Sequence, residues 1–136
     1  NINSVPDRAA IGIDMRTVPT QSHAHIRDSL AKALGPEVEL KTLLDVESVY
    51  TDPDDPWVQS VFDVMTRTLG TRPEPKTATY FTDAAALKPA LGNPPTLILG
   101  PGEPHMAHQT DEYCVAERVL QSTEAFTEIM RRWCRV

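Results

Sequence analysis

Apolar and polar residues alternate from Ala10 to Val18, with Ile11, Ile13 and Met15 on one parity and Gly12, Asp14 and Arg16 on the other. A period of two predicts a half-buried strand, on whose polar face Asp14 and Arg16 are neighbours. The period then changes. After Pro19-Thr20-Gln21-Ser22, the residues Ile26, Leu30, Ala33 and Leu34 recur at helical spacing, and Gly35-Pro36 stops the element. Val38 to Tyr50 returns to alternation and predicts a second strand-rich stretch. Asp55 is a helix cap with Pro56 at the first helical position. Val58, Val61, Phe62, Met65 and Leu69 form the stripe of that helix, and Gly70 closes it. Thr77 to Phe81 reads as a short strand. Thr82-Asp83 is expected to cap a helix of small residues beginning at Ala84. Thr96 to Leu99 reads as a strand, and Val115 to Trp133 as a long helix with Val119, Leu120, Thr123, Phe126, Met130 and Trp133 facing inward.

The predicted order is strand, helix, strand, and then helix, strand, helix, strand, helix. It divides at Thr51-Asp52-Pro53-Asp54-Asp55-Pro56, which is polar and twice interrupted by proline. Residues 1–51 suit a small α+β unit and residues 52–136 a layered α/β unit. A length of 136 residues allows one modest core or two small ones.

Charge and cysteine content narrow the function. A net charge of -6 argues against a nucleic-acid partner, whose phosphates require a basic surface. No apolar run approaches the roughly 18 residues that a membrane span requires, and no signal-peptide pattern is present. The cysteines Cys114 and Cys134 flank one predicted helix, too far apart to pair, and Cys114 is expected to be packed rather than reactive. A reducing, cytoplasmic setting is the expectation. The opening Asn1-Ile2-Asn3-Ser4-Val5-Pro6 has no initiator methionine and reads as the middle of a protein, so a clipped or truncated product is expected.

The candidate chemistry gathers near the end of the chain. Leu97-Ile98-Leu99 runs into Gly100-Pro101-Gly102; His105, His108, Asp111 and Glu112 follow before the last helix. Imidazole is the commonest side-chain metal ligand, and zinc takes histidine together with carboxylates. His108, beyond a predicted strand end, is therefore either a metal ligand or a loop histidine on the surface. Pro104 and Gly102 argue against a helix that would align His105 with it. Asp111 and Glu112 read as capping groups or as carboxylates that orient a ligating ring. Gly100-Pro101-Gly102 is a tight turn or a place where backbone approaches a ligand. Thr82-Asp83 is an ordinary cap or an anion cradle. Asp14 and Arg16 form a surface ion pair, or Arg16 binds a carboxylate through its planar fork. His23-Ala24-His25 reads as solvated surface.

Four segments, in this order, resemble the dinuclear zinc amidohydrolases that include acetylornithine deacetylase, succinyl-diaminopimelate desuccinylase, aminoacylase and glutamate carboxypeptidase. They are Asn3-Ser4-Val5-Pro6 with Asp14-Met15-Arg16; Thr82-Asp83-Ala84; Leu99-Gly100-Pro101-Gly102; and Ala107-His108-Gln109-Thr110-Asp111-Glu112-Tyr113. The last is the most specific and is closest in wording to acetylornithine deacetylase-like members. The resemblance covers nearly the whole chain. It implies the C-terminal half of a layered α/β zinc-peptidase catalytic domain, preceded by part of an α+β, ferredoxin-like lid and dimerisation domain. It further implies that His108 ligates one of two zinc ions (cobalt or manganese being alternatives). Asn3 and Arg16 would contact substrate from the lid, and Thr82 and Gly102 would line the cleft. Phe81 departs from the glycine that many members carry there, which alters the expected pocket.

The family's remaining metal ligands and its general-base glutamate have no counterpart here, so no catalytic residue is assigned. The resemblance implies metal-dependent hydrolysis of an amide in an N-acylated amino acid or small peptide. It also implies a homodimer, and a missing N-terminal portion of the same protein that completes the site. The piece alone is expected to be inactive. The rival readings are a non-enzymatic dimerisation or binding module, or a metal-free degenerate relative.

Overall fold

The computed structural model describes residues 5–136, which divide into two compact units, residues 5–48 and residues 49–136. The first unit contains one helix, α1 (His23–Leu34), and the second contains α2 (Pro56–Leu69), α3 (Ala84–Ala90), a single 3-10 turn (Pro104–Met106) and α4 (Ala116–Cys134).

The helices begin and end where local signals place them. The Ser22 hydroxyl accepts the His25 N–H at the start of α1. The Asp55 carboxylate accepts the Trp57 and Val58 N–H groups at the start of α2, with Pro56 inside the first turn. Such a cap contributes about 1 kcal/mol. Gly70 ends α2 at φ 74°, a left-handed conformation that glycine adopts without a Cβ penalty, and its N–H bonds to Thr66. Asp83 precedes α3 but makes no side-chain cap bond, so the expected cap is not formed.

The layered α/β arrangement expected for residues 52–136, and the α+β arrangement expected before it, are not what the chain adopts. Among the described residues there is no strand and no sheet. The segments around Ile11, Val38, Thr77 and Ile98 lack ladder partners, and Ile11 stands 87% exposed and Ile13 58%. The physical reason is that a period of two records which face a strand would bury, but not what it pairs with. At Thr96 the backbone is satisfied by a side chain instead of a strand. The Thr51 hydroxyl donates to the Thr96 carbonyl at 2.8 Å and accepts the Thr96 N–H at 2.9 Å. Lys88 Nζ donates to the Tyr50 carbonyl and to the same hydroxyl, at 2.6 and 3.2 Å.

The core of the second unit is the α2–α4 interface. Val58, Val61 and Val64 of α2 and Ala125 of α4 are the buried apolar residues among those described. The helices run antiparallel. Trp57, at the start of α2, meets Trp133, near the end of α4, edge to face with centroids 4.8 Å apart. Arg132 Nη1 donates to the Ser60 carbonyl and hydroxyl, each at 3.0 Å, and Arg67 pairs with Glu128 at 3.4 Å.

The face α4 buries is not the one its large side chains predict. Gln121, Ser122, Glu128, Ile129 and Arg132 are half-buried around Ala125. Val119, Leu120, Thr123, Phe126, Met130 and Trp133 are exposed, Leu120 by 68%. A small residue at the crossing allows close approach, and Arg132 lays its stem along α2 while its head finds acceptors there.

In the first unit, Asp45 is bonded to both His23 and Arg27 of α1. The His23 hydrogen bond holds the Asp45 carboxyl below its ordinary range; desolvation opposes this and Arg27 assists it. A depressed folded-state pKa contributes stability that is fully present above the unfolded carboxyl value of about 3.9 and lost as pH falls through the folded value. The α1 amide signals should therefore lose hydrogen-exchange protection as pH falls below that value, and Asp45→Asn should remove this acid-side dependence. An acid response identical in Asp45→Asn would assign it to other carboxylates.

Candidate functional site

The segment after Gly102 is built from consecutive turns. Glu103 leads into the 3-10 turn, in which Met106 N–H bonds to the Glu103 carbonyl at 2.9 Å. Ala107 at φ -58°, ψ 131° and His108 at φ 63° then occupy the two central positions of a turn closed by Gln109 N–H to the Met106 carbonyl, at 3.1 Å. These angles describe a type II turn, whose third residue requires positive φ and usually is glycine. His108 fills that place despite its Cβ. The backbone is supported from downstream: the His108 N–H bonds to Glu112 Oε2 at 3.2 Å, and the Glu112 N–H to the Gln109 carbonyl at 3.2 Å.

A left-handed conformation costs a side-chain-bearing residue about 1–2 kcal/mol, and such strain concentrates where a side chain is being aimed. His108 is exposed, and among the described residues its ring makes no hydrogen bond. It can therefore offer a free imidazole nitrogen. Among the described residues no group of three or more histidine, cysteine or acidic side chains is placed to hold a metal ion.

The other residues singled out in the sequence take varied places. Arg16 Nη2 pairs with Asp14 Oδ2 at 2.6 Å, with both side chains more than half exposed. That realises the surface ion pair, and one carboxylate leaves other guanidinium donors available. Thr82 is half-buried, and its carbonyl accepts the Ala85 N–H at 3.1 Å. Gly102 is exposed, and a Cβ added there would meet nothing within 4 Å, so packing within this chain does not demand glycine. Asn3 lies outside the described residues. Cys114 and Cys134 are both free and exposed, which corrects the expectation that Cys114 is packed. His25 is exposed as expected. His23 is not solvated surface: its side chain is only 15% exposed and bonded on both ring nitrogens.

Two features had no sequence signal. Glu103 pairs with Arg118 of α4 and stands 3.9 Å from His105 Nδ1. It thereby ties the loop to the start of α4. A shallow groove of about 420 Å³ between α2 and α4 is lined by Val64, Arg67, Thr68, Glu124 and Glu128, none of them a sequence-derived candidate. Both depend on which elements lie side by side. No helix among the described residues is long and apolar enough to cross a membrane.

Comparison with known proteins bears on this geometry. The chain is 31% identical over 133 residues to a probable succinyl-diaminopimelate desuccinylase of Staphylococcus aureus, covering 93% of this chain and 33% of that protein. It is 26% identical over 137 residues to a probable succinyl-diaminopimelate desuccinylase of Staphylococcus epidermidis, covering 97% and 34%. An acetylornithine deacetylase of Salmonella arizonae is 26% identical over 126 residues, covering 90% and 32%. The chain therefore spans about a third of the length of the curated relatives it matches. No solved structure gives a significant match. The family model for peptidase family M20/M25/M40 matches residues 3–132, nearly end to end and through the His108 turn, and the chain belongs to that family.

Proposed function

We propose that this chain forms part of a metal-dependent amidohydrolase that removes an acyl group from an N-acylated amino acid or small peptide. The observation that carries the reading is the His108 turn, which holds an imidazole on strained backbone at a position where glycine would be easier. The relatives, a probable desuccinylase and a deacetylase, are named for acyl removal from an amino-acid derivative. Of these, deacetylation of the acetylornithine deacetylase type is the first reading and desuccinylation the second.

Zinc bound at such a site would supply a water of lowered pKa and Lewis-acid polarisation of the amide carbonyl. In this reading His108 holds one zinc ion. Glu112 acts on His108 through the backbone, and so positions the ring without touching the metal. Arg16 supplies a planar, permanently charged fork for a substrate carboxylate, and Asn3 is a further substrate-contact residue. Thr82 and Gly102 border the substrate cleft. The remaining donors and the general base come from polypeptide matching the other two thirds of the relatives, and the complete enzyme works in the cytoplasm as a homodimer.

The test is an assay of the chain alone beside the full-length polypeptide, on acetylated and succinylated amino acids, with zinc content measured in both. The full-length form should retain zinc and turn over one substrate class. The chain alone should show no turnover and no tight zinc. Stoichiometric tight zinc in the chain alone would overturn the division of ligands. A full-length form without metal or turnover would favour the binding-module or degenerate-relative reading.

A further inference from the structure

Within the first unit, two side chains from separate segments bond to opposite sides of one imidazole. Asp45 Oδ1 lies 2.5 Å from His23 Nδ1, and the Thr17 hydroxyl lies 2.9 Å from His23 Nε2. Asp45 Oδ2 is taken by Arg27 of α1. An ionised carboxylate can only accept, so Nδ1 carries a proton; in the neutral ring Nε2 then presents its lone pair and the Thr17 hydroxyl donates to it. This is the arrangement by which a general base, oriented by a third group, activates a hydroxyl.

The surroundings favour charge separation along that line. Arg27 holds the second carboxylate oxygen of Asp45 in place. Glu47 Oε2 stands 4.0 Å from His23 Nε2 and favours the imidazolium that proton transfer would form. His23 is the first residue of α1, a twelve-residue helix that fixes the backbone from which the ring projects. His23 is mostly enclosed, and Thr17 is half-buried rather than sealed.

The geometry points to a second reactive centre, separate from the metal-dependent chemistry, in which Thr17 is a nucleophile toward activated acyl esters, His23 its general base and Asp45 the positioning residue. In the step, Thr17 Oγ1 attacks the ester carbonyl carbon while its proton passes to His23 Nε2. The bond from the carbonyl carbon to the leaving oxygen then breaks, leaving an acyl-Thr17 ester. The leaving group departs as alkoxide or phenoxide, and the His23 proton passes to it or to solvent.

The experiment uses the chain as it is, with p-nitrophenyl acetate as the probe. Release of p-nitrophenolate is followed, and the acetylated residue is located by peptide mapping. The expected result is a burst with the acetyl group on Thr17, absent when the chain is labelled in denaturing urea. Thr17→Ser should retain labelling and Thr17→Val should lose it. His23→Gln should slow it about 100-fold or more, with helix content checked by circular dichroism. Acetylation confined to lysine, cysteine or His23 overturns the assignment, as does equal labelling of Thr17 in urea. The mapping on the unaltered chain decides the matter even where a variant fails to fold.

Discussion

Replacing His108 with alanine in the full-length polypeptide is expected to cost at least about 100-fold in affinity for one metal ion, with a comparable loss of hydrolysis. Loss of a group that merely orients a ligand costs 10–100-fold, and loss of the ligand itself costs no less. The same position makes an opposite prediction for stability. His108 sits at φ 63° in the third place of a type II turn, so His108→Gly should stabilise the chain by about 1 kcal/mol in urea denaturation. Stability gained while metal is lost is the signature of strain kept for function. If metal content and activity survive His108→Ala, the histidine is only a loop residue. If His108→Gly destabilises, the ring has packing value in this chain and the strain argument fails.

The second large effect is at the α2–α4 crossing. Ala125→Asp should cost about 3 kcal/mol or more, because it places an unpaired carboxylate where the side chain is 2% exposed. With only Val58, Val61 and Val64 as its buried apolar partners among the described residues, the helix pair has little to offset that loss. Unfolding followed by tryptophan fluorescence reports it directly, since Trp57 and Trp133 are in contact across the pair. Leu120→Asp is the control. Leu120 is large, apolar and on the same helix, yet exposed, so its change should stay within about 0.5 kcal/mol. A larger loss at Leu120 than at Ala125 would mean that α4 buries the face its hydrophobic pattern suggests.

Those two positions show why helices were legible in this sequence and their packing was not. Ser22 and Asp55 with Pro56 act within one turn of themselves, so the starts of α1 and α2 can be read from neighbouring residues. Which stripe of α4 is covered depends on α2, some sixty residues away, and on Arg132 finding Ser60. The His23 bonds failed to show for the same reason: Thr17 and Asp45 reach it from six and twenty-two residues away. For the segment around His108, type and order of residues were enough to name a family. The turn that strains His108 needed coordinates.

By itself the amino-acid order determined the helix boundaries, the acidic charge, the unpaired cysteines and the family to which the chain belongs. Each of these is a property of residue identity or of neighbours within a few positions. Tertiary structure alone decided that the alternating segments form no sheet, that α4 meets α2 through Ala125, that His23 is bonded on both sides, and that His108 adopts positive φ. These outcomes depend on distant groups supplying or withholding a partner, and one-dimensional periodicity carries no record of who that partner is.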